Sequence, residues 1–140
     1  MQVALGLAKE ALSQDEVPVG AVILKQGKIV AQAYNLCEMR KDPLAHAEFL
    51  AITSALKTLQ VPFLNECDLY VTLEPCAFCA AAIALARLNS VFFGAYDPKG
   101  GAIDHNARIF EHSLHKPQVV GGIDEAASQA LLKHFFSTKR

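Results

Sequence analysis

The stretch Tyr70-Val71-Thr72-Leu73-Glu74-Pro75-Cys76-Ala77-Phe78-Cys79 predicts a buried strand that leads into a helix, with two cysteines where the two meet. Tyr, Val and Thr favour strands. Pro75 suits the first position of a helix, where its missing N–H costs nothing, and the alanine-rich run after Cys79 has high helix propensity. A spacing of three places Cys76 and Cys79 one helical turn apart, where two thiolates can bind one ion. The partial positive charge of a helix N-terminus favours the thiolate form.

A further candidate ligand lies upstream in His46-Ala47-Glu48, directly before the apolar stretch 49–59. One histidine and two cysteines make a three-ligand set, which leaves the fourth position on zinc to water. That is the pattern of a catalytic rather than a structural zinc site. Because residues two apart in a helix do not share a face, we expect Glu48 to reach the zinc-bound water and not to be a fourth ligand.

Other interpretations of the cysteines are open at this point. A CxxC pair alone can be a redox centre, although that interpretation leaves His46 and Glu48 unexplained. A purely structural zinc site needs one more ligand, and Cys37, Cys67 or His105 is available. A lone histidine before a helix is most often a cap or a surface residue, so only the combination of motifs indicates a metal site.

The composition indicates a globular chain. The 140 residues predict a single domain, 1–140, and 52% apolar against 19% charged residues excludes disorder. The longest apolar run, Cys76 to Ala86, is too short to span a bilayer, and no signal-peptide pattern is visible. Four cysteines, two of them assigned to a metal, favour a reducing compartment, so we expect a cytoplasmic protein with no membrane contact. A net charge of −1 gives no global electrostatic reason to expect nucleic acid.

Apolar periodicity and chain breakers predict alternating elements after an N-terminal helix. Helices are predicted over residues 3–12, 47–59, 76–88 and 125 to about 136, with a polar loop over 35–45. Strands are predicted over residues 19–24, 28–34, 69–73, 90–95 and 118–120. A hairpin followed by this alternation predicts an α/β fold, a three-layer α-β-α sandwich with a mixed, about five-stranded sheet whose later strands are parallel. Both helices that carry the candidate ligands should begin at the same sheet edge.

The motif His46-x-Glu48 followed by Pro75-Cys76-x-x-Cys79 resembles the signature of the zinc nucleobase deaminases. Further stretches, Glu16 to Val22, Asp42-Pro43 and Val91 to Ala95, are similar to the bacterial tRNA-specific adenosine deaminases, so the resemblance extends over nearly the whole chain. It implies the cytidine deaminase-like fold, one Zn²⁺ per chain and a homodimer. The alanine-rich third helix would permit close packing at a dimer interface or within one subunit.

The resemblance also implies a reaction, the hydrolytic deamination of adenosine to inosine at the wobble position of a tRNA anticodon loop. His46, Cys76 and Cys79 would hold the zinc that activates a water, and Glu48 would shuttle protons. The alternative is a zinc deaminase of a free base, nucleoside or nucleotide, such as cytosine, guanine or deoxycytidylate. A zinc-stabilised binding module and a redox protein are the competing classes outside this superfamily.

Contacts with the target base are implied by position in the resemblance. Asn35 stands where the family has an asparagine that hydrogen-bonds the base. Ala47 and Pro75 border the base pocket in relatives, and Val17 and Pro18 correspond to its wall. Contacts with the anticodon stem-loop are implied in the same way.

Asp97 corresponds to a loop residue near the RNA backbone, where a carboxylate can accept a hydrogen bond from a ribose 2′-OH. Phe135 and Phe136 match an aromatic pair that helps to hold the anticodon loop, a common mode of RNA binding. Core packing of the last helix is the expected role of one of the two. Tyr96 is a departure, since many relatives have arginine there. Local positive charge is expected from Lys133, Lys139 and Arg140.

Overall fold

The structure, a computed structural model, describes residues 1–139. Its helices are Gln2–Ser13 (α1), Cys37–Arg40 (α2), Ala47–Leu59 (α3), Ala77–Ala86 (α4) and Glu125–Ser137 (α5), with a 3₁₀ turn at Ile109–His112. Its strands are Gly20–Lys25 (β1), Lys28–Tyr34 (β2), Cys67–Leu73 (β3), Ser90–Ala95 (β4) and Gln118–Val120 (β5). Within the described residues, every helix is too short or too polar to cross a membrane.

The five strands form one mixed sheet in the order β2-β1-β3-β4-β5. β1 is antiparallel to both β2 and β3, whereas β3, β4 and β5 are parallel to one another. The prediction of a mixed, five-stranded sheet with parallel later strands is confirmed. Since parallel strands end at the same edge, the segments after β3 and β4 meet at that edge.

Two layers of helices cover the sheet. α1 packs with α5 on one face, and α3 packs with α4 on the other. The main core, which includes Ile23, Leu69 and Phe93, lies between the sheet and the layer of α3 and α4. α1 lies close to β1 because Gly20 has no side chain. A Cβ atom at Gly20 would lie 2.1 Å from the carbonyl oxygen of Ala4. The predicted three-layer sandwich is therefore observed.

The residue at which α4 begins differs from the prediction. Pro75 was expected at the first helical position, but the helix begins at Ala77, and Cys76 is the N-cap with extended backbone (φ −73°, ψ 175°). The Pro75 carbonyl is instead used outside the helix, where it accepts a 2.9 Å hydrogen bond from the Ala102 N–H. The helix also ends at Ala86 and not at residue 88, because Arg87 adopts a left-handed conformation (φ 60°).

The predicted polar loop over 35–45 contains the short helix α2, which the sequence prediction missed. Its first-turn N–H groups, those of Glu38 and Met39, donate to the carboxylate of Glu16 at 3.0 and 2.7 Å. Glu16 is 22 residues away from Glu38 and 1% exposed. A carboxylate supplied from a distant segment thus satisfies donors that such a short helix leaves open.

Candidate active site

His46, Cys76 and Cys79 meet at the N-termini of α3 and α4. His46 and Cys76 are the N-cap residues of these two helices, and Cys79 lies in the first turn of α4. The His46 Nδ1 atom lies 3.5 Å from the Sγ atoms of both cysteines. All three possible ligand atoms lie within 4.8 Å of one another. The structure therefore brings together the three residues that the spacing indicated.

The donor set fits a zinc ion. Zinc bonds of about 2.3 Å to sulfur and about 2.0–2.1 Å to nitrogen, at a tetrahedral angle, separate the two ligand atoms by about 3.6 Å. The observed separation of 3.5 Å between His46 Nδ1 and each Sγ agrees with this value. Two sulfurs and one imidazole are also a ligand set typical of zinc. His46 and Cys76 line a cavity, so a fourth position would face that cavity.

The protonation of the three residues is coupled in the metal-free protein. A hydrogen bond from the Cys79 thiol lowers the pKa of Cys76 to about 4. His46 also lowers this pKa, and burial acts in the opposite direction. The same bond and burial raise the pKa of Cys79. The hydrogen bond to the Cys76 sulfur raises the pKa of His46. A thiolate at Cys76 is therefore available for a cation at neutral pH.

Glu48 lies in the first turn of α3 and faces the same cavity. It is 5% exposed, and this burial raises the pKa of its carboxyl to about 7, with the nearby Cys76 adding to the effect. A carboxyl group with a pKa near the operating pH can both accept and donate a proton. The structure thus places a carboxyl suited to proton transfer beside the possible metal ligands.

Asn35 is oriented by the helix that carries these ligands. Its Oδ1 atom accepts a 2.8 Å hydrogen bond from the Ala47 N–H in the first turn of α3. Because a backbone N–H must face the oxygen, this bond fixes which end of the amide is which. The Asn35 amide NH₂ is then the group that can donate into the cavity.

The cavity has a volume of about 990 Å³. Four residues predicted to bind substrate line it: Val17, Asn35, Asp97 and Phe136. The other four do not line it and are buried: Pro18, Ala47, Pro75 and Phe135. Ala47 acts through its N–H and Pro75 through its carbonyl, as described above. In the aromatic pair, Phe136 is 51% exposed and Phe135 only 6%, so their surroundings differ sharply.

Two predicted cations lie near Phe136. Lys139 lines the cavity, and its Nζ donates to Asp15 at 2.6 Å and lies 5.3 Å from the centre of the Phe135 ring. Lys133 lines an adjoining groove with Tyr96 and Phe136. Arg140, the third predicted cation, lies outside the described residues.

The sequence prediction missed two buried carboxylates beside the cavity, Glu16 and Glu74, each 1% exposed. Glu16 holds α2, and Glu74 accepts hydrogen bonds from the loop after β4. Burial raises the pKa of Glu74, but the Asp97 N–H, His105 and further N–H groups outweigh it, so that the pKa lies below its ordinary value. The sequence gives only a weak signal: Glu16 directly precedes the apolar stretch 17–24 and Glu74 directly follows the strand 69–73, where a buried charge needs partners, but it does not show which groups those partners are.

Comparison with known proteins identifies the family. A family model described as MafB19-like deaminase matches residues 1–140. The tRNA-specific adenosine deaminase of Agrobacterium fabrum is 43% identical over 100% of this chain and 93% of its own length. The chain belongs to the tRNA-specific adenosine deaminase family. The predictions of this family and of a deaminating enzyme are therefore confirmed.

Solved structures agree with membership of the tRNA-specific adenosine deaminases. A tRNA:A34 deaminase, studied for A-to-I editing at the wobble position of transfer RNA, superposes with a TM-score of 0.92 and 42% identity. That match covers 94% of this chain and 97% of the other. A guanine deaminase from Bacillus subtilis is also 42% identical, but its match covers 68% of this chain and 61% of its own, with a TM-score of 0.66. The tRNA deaminase thus matches over a much larger part of both chains.

Proposed function

We propose that this protein is a zinc-dependent tRNA adenosine deaminase that converts adenosine to inosine at the wobble position of an anticodon loop. One observation carries the proposal. His46, Cys76 and Cys79 converge beside the buried Glu48 at one cavity, which His46, Glu48 and Cys76 line. Relatives that match over the full length of this chain are tRNA-specific adenosine deaminases.

The proposed chemistry divides between the metal and Glu48. Zinc bound by His46, Cys76 and Cys79 would supply a Lewis acid that makes water nucleophilic near neutral pH. Glu48 accepts the proton of the water that attacks the amine-bearing carbon and passes it to the adjacent ring nitrogen. It then takes the second proton of that water from the new hydroxyl on the same carbon and gives it to the leaving amine. The C–N bond breaks as the C=O bond forms, so adenosine and water yield inosine and ammonia. A carboxyl with a pKa of about 7 suits both directions of transfer.

The target base is proposed to lie between Asn35 and the apolar wall of the cavity. The Asn35 amide NH₂ donates to an acceptor on the base, since its oxygen is already bonded to the Ala47 N–H. Val17, Val19 and Leu73 line the cavity near it and exclude water around the ring. Exclusion of water strengthens the polar contacts that orient the base.

The rest of the anticodon loop is proposed to lie at the outer part of the cavity. There Asp97 accepts from a ribose 2′-OH, and the exposed ring of Phe136 stacks on an unpaired base. Lys99 lines this part and supplies local positive charge, whereas Lys139, which also lines it, forms an ion pair with Asp15. Such local cations matter because the net charge of −1 provides no general attraction for RNA.

We also propose that the protein is a cytoplasmic homodimer with one zinc in each single-domain chain, and that α4 lies at the interface. All ten residues of α4, Ala77 to Ala86, are apolar. One face is buried by Cys79, Ala80, Ile83 and Ala86, yet Leu85 on the other side is 77% exposed. A helix that is apolar all round is normally covered on all sides. A second copy of α4 would cover this face.

The test of the proposed function uses the zinc-loaded protein and an anticodon stem-loop with adenosine at the wobble position. Free adenosine, cytosine and guanine are incubated in parallel, and a stem-loop with its adenosine elsewhere in the loop is the matched control. Inosine at the wobble position alone is expected. Turnover of a free base, with none on the stem-loop, would overturn the proposal.

A further inference from the structure

The loop after β4 is built around the carboxylate of Glu74, whose side chain is 0% exposed. Its Oε1 atom accepts hydrogen bonds from the Asp97 N–H at 3.0 Å and from His105 Nδ1 at 2.8 Å. Its Oε2 atom accepts from the N–H groups of Ile103, Asp104 and His105 at 3.1, 2.9 and 3.2 Å. Five donors on two oxygens hold both ends of the segment 97–105.

The short segment that contains Glu74 also contains a proposed metal ligand, Cys76. Glu74 stands two residues before Cys76, and its own N–H donates to the Ala95 carbonyl at 2.8 Å. The Pro75 carbonyl accepts from the Ala102 N–H at 2.9 Å. The residues that precede Cys76 are therefore hydrogen-bonded both to the end of β4 and to the loop.

The loop fits the carboxylate closely at Gly101. A Cβ atom there would lie 2.4 Å from Cδ of Glu74 and 2.6 Å from the Asp97 carbonyl oxygen. The opposite side of the turn is held by Asn106, whose Nδ2 lies 3.2, 3.2 and 2.8 Å from the carbonyl oxygens of Pro98, Lys99 and Gly101. Glu74 thus holds N–H groups of the loop and Asn106 holds its carbonyls.

We infer that Glu74 is a positioning residue for the RNA substrate: it fixes the loop that presents Tyr96, Asp97 and Lys99 to the cavity. The inference rests on the proposed function, because it takes Asp97 to be a substrate contact. If the loop is already ordered in the free protein, RNA binding does not lose free energy to ordering it, and the affinity is higher. Four of the five donors are backbone N–H groups, and they bind both carboxylate oxygens of Glu74. They are therefore all satisfied only if both oxygens at position 74 are acceptors.

The first test is Glu74→Gln, which keeps the shape and places a donor at one end of the group. The NH₂ fits best at the Oε1 side, where a neutral His105 Nδ1 can accept from it, and the Asp97 N–H then loses its acceptor. We expect the KM for the wobble-adenosine stem-loop to rise about tenfold or more, with kcat within about threefold of wild type and zinc content unchanged. Equal KM values with zinc retained would overturn the inference.

A double-mutant cycle separates positioning from a general structural role. The Asp97 carboxylate accepts from the N–H groups of Lys99 and Gly100, so Asp97→Ala removes a proposed substrate contact and loosens the same loop. Glu74→Gln should therefore raise KM by a smaller factor in the Asp97→Ala background than in the wild-type background. Glu16→Gln is the matched control, since Glu16 is equally buried but holds α2, a different segment of the cavity lining. Its effect should add to that of Asp97→Ala. Fully additive behaviour of Glu74→Gln would also contradict the inference.

A second variant covers the case in which Glu74→Gln fails to fold or to hold zinc. Asn106→Ala frees the same turn from its carbonyl side, away from Cys76, and should raise KM in the same way. An unchanged KM in that variant would then overturn the inference. Hydrogen exchange at residues 97–105 measures loop release without substrate, and faster exchange is expected in both variants. A wild-type enzyme inactive on the stem-loop would instead refute the proposed function, whatever the exchange shows.

Discussion

The inner and outer parts of the cavity are built in different ways. At the inner end, the proposed ligands His46, Cys76 and Cys79 and the buried Glu48 lie at helix N-termini, where backbone geometry fixes them. At the outer end, half-exposed side chains such as Tyr96 and Phe136 come from a loop and from the last helix. Chemistry thus depends on a few residues at set spacings, whereas substrate contacts depend on distant segments being held in place.

The largest expected effect is loss of the metal from the inner end. Cys79→Ala should lose most bound zinc, abolish turnover and lower the melting temperature, because metal binding free energy is also folding free energy. Elemental analysis and thermal unfolding measure this. Cys67→Ala, which removes another buried thiol, is the control and should retain zinc. Full zinc content in Cys79→Ala would remove this residue from the proposed site.

The next effect separates ligand from proton carrier within the inner end. Glu48→Ala should keep zinc near one per chain and keep RNA binding, yet lower the single-turnover rate by at least ~10²–10⁴-fold, since every proton transfer loses its carrier. Should the substitution strip the metal, Glu48 is a ligand. Should it keep full activity, the proposed mechanism is wrong.

Substitutions of Phe135 and Phe136 test whether one ring stabilises the fold while the other binds RNA. Phe135→Ala should lower the free energy of unfolding by about 3–5 kcal/mol, because the ring is buried. Phe136→Ala should leave stability nearly unchanged and weaken RNA binding by roughly 1–3 kcal/mol. Denaturant unfolding and RNA titration of both variants decide between them. The reverse pattern would mean that the two rings have exchanged roles.

A smaller effect follows from the burial of Glu48 in metal-free protein. Its folded-state pKa of about 7, against an ordinary 4.5, means that the folded state favours the protonated form. The associated stability is present below pH 4.5 and is lost as pH rises through 7, a change of about 3 kcal/mol. Urea unfolding with a chelator at several pH values measures it. Glu48→Gln should flatten this part of the pH dependence; an unchanged profile would assign it to other groups.

Most of the fold and the inner end of the cavity could be predicted from sequence. Helix 47–59 and the strands 28–34, 90–95 and 118–120 have the predicted bounds, since hydrophobic periodicity and breakers are local signals. The set of His46, Cys76 and Cys79 could be proposed because zinc ligands are characterised by their residue types and their spacing in the sequence.

The supports of the outer end could not be predicted in this way. The partners of Glu74 are mostly backbone N–H groups between residues 97 and 105. Because every non-proline residue has such a group, the sequence does not show which of them will bind Glu74. The helix α2 depends likewise on Glu16 from another segment. The split of Phe135 and Phe136 between core and cavity depends on the rotation of α5 against the sheet, which periodicity leaves open.

The hydrogen bonds between the loop and the Glu74 carboxylate have a consequence for protein engineering. In the part of the chain that the structure describes, the side chains that hydrogen-bond the backbone of the loop are those of Glu74, Asp97 and Asn106, and neither Tyr96 nor Lys99 is among them. A library that randomises Tyr96 and Lys99 should yield many folded enzymes with altered preference for the bases around the edited position. Gly101 must be left out of such a library, because any larger residue would collide with the carboxylate.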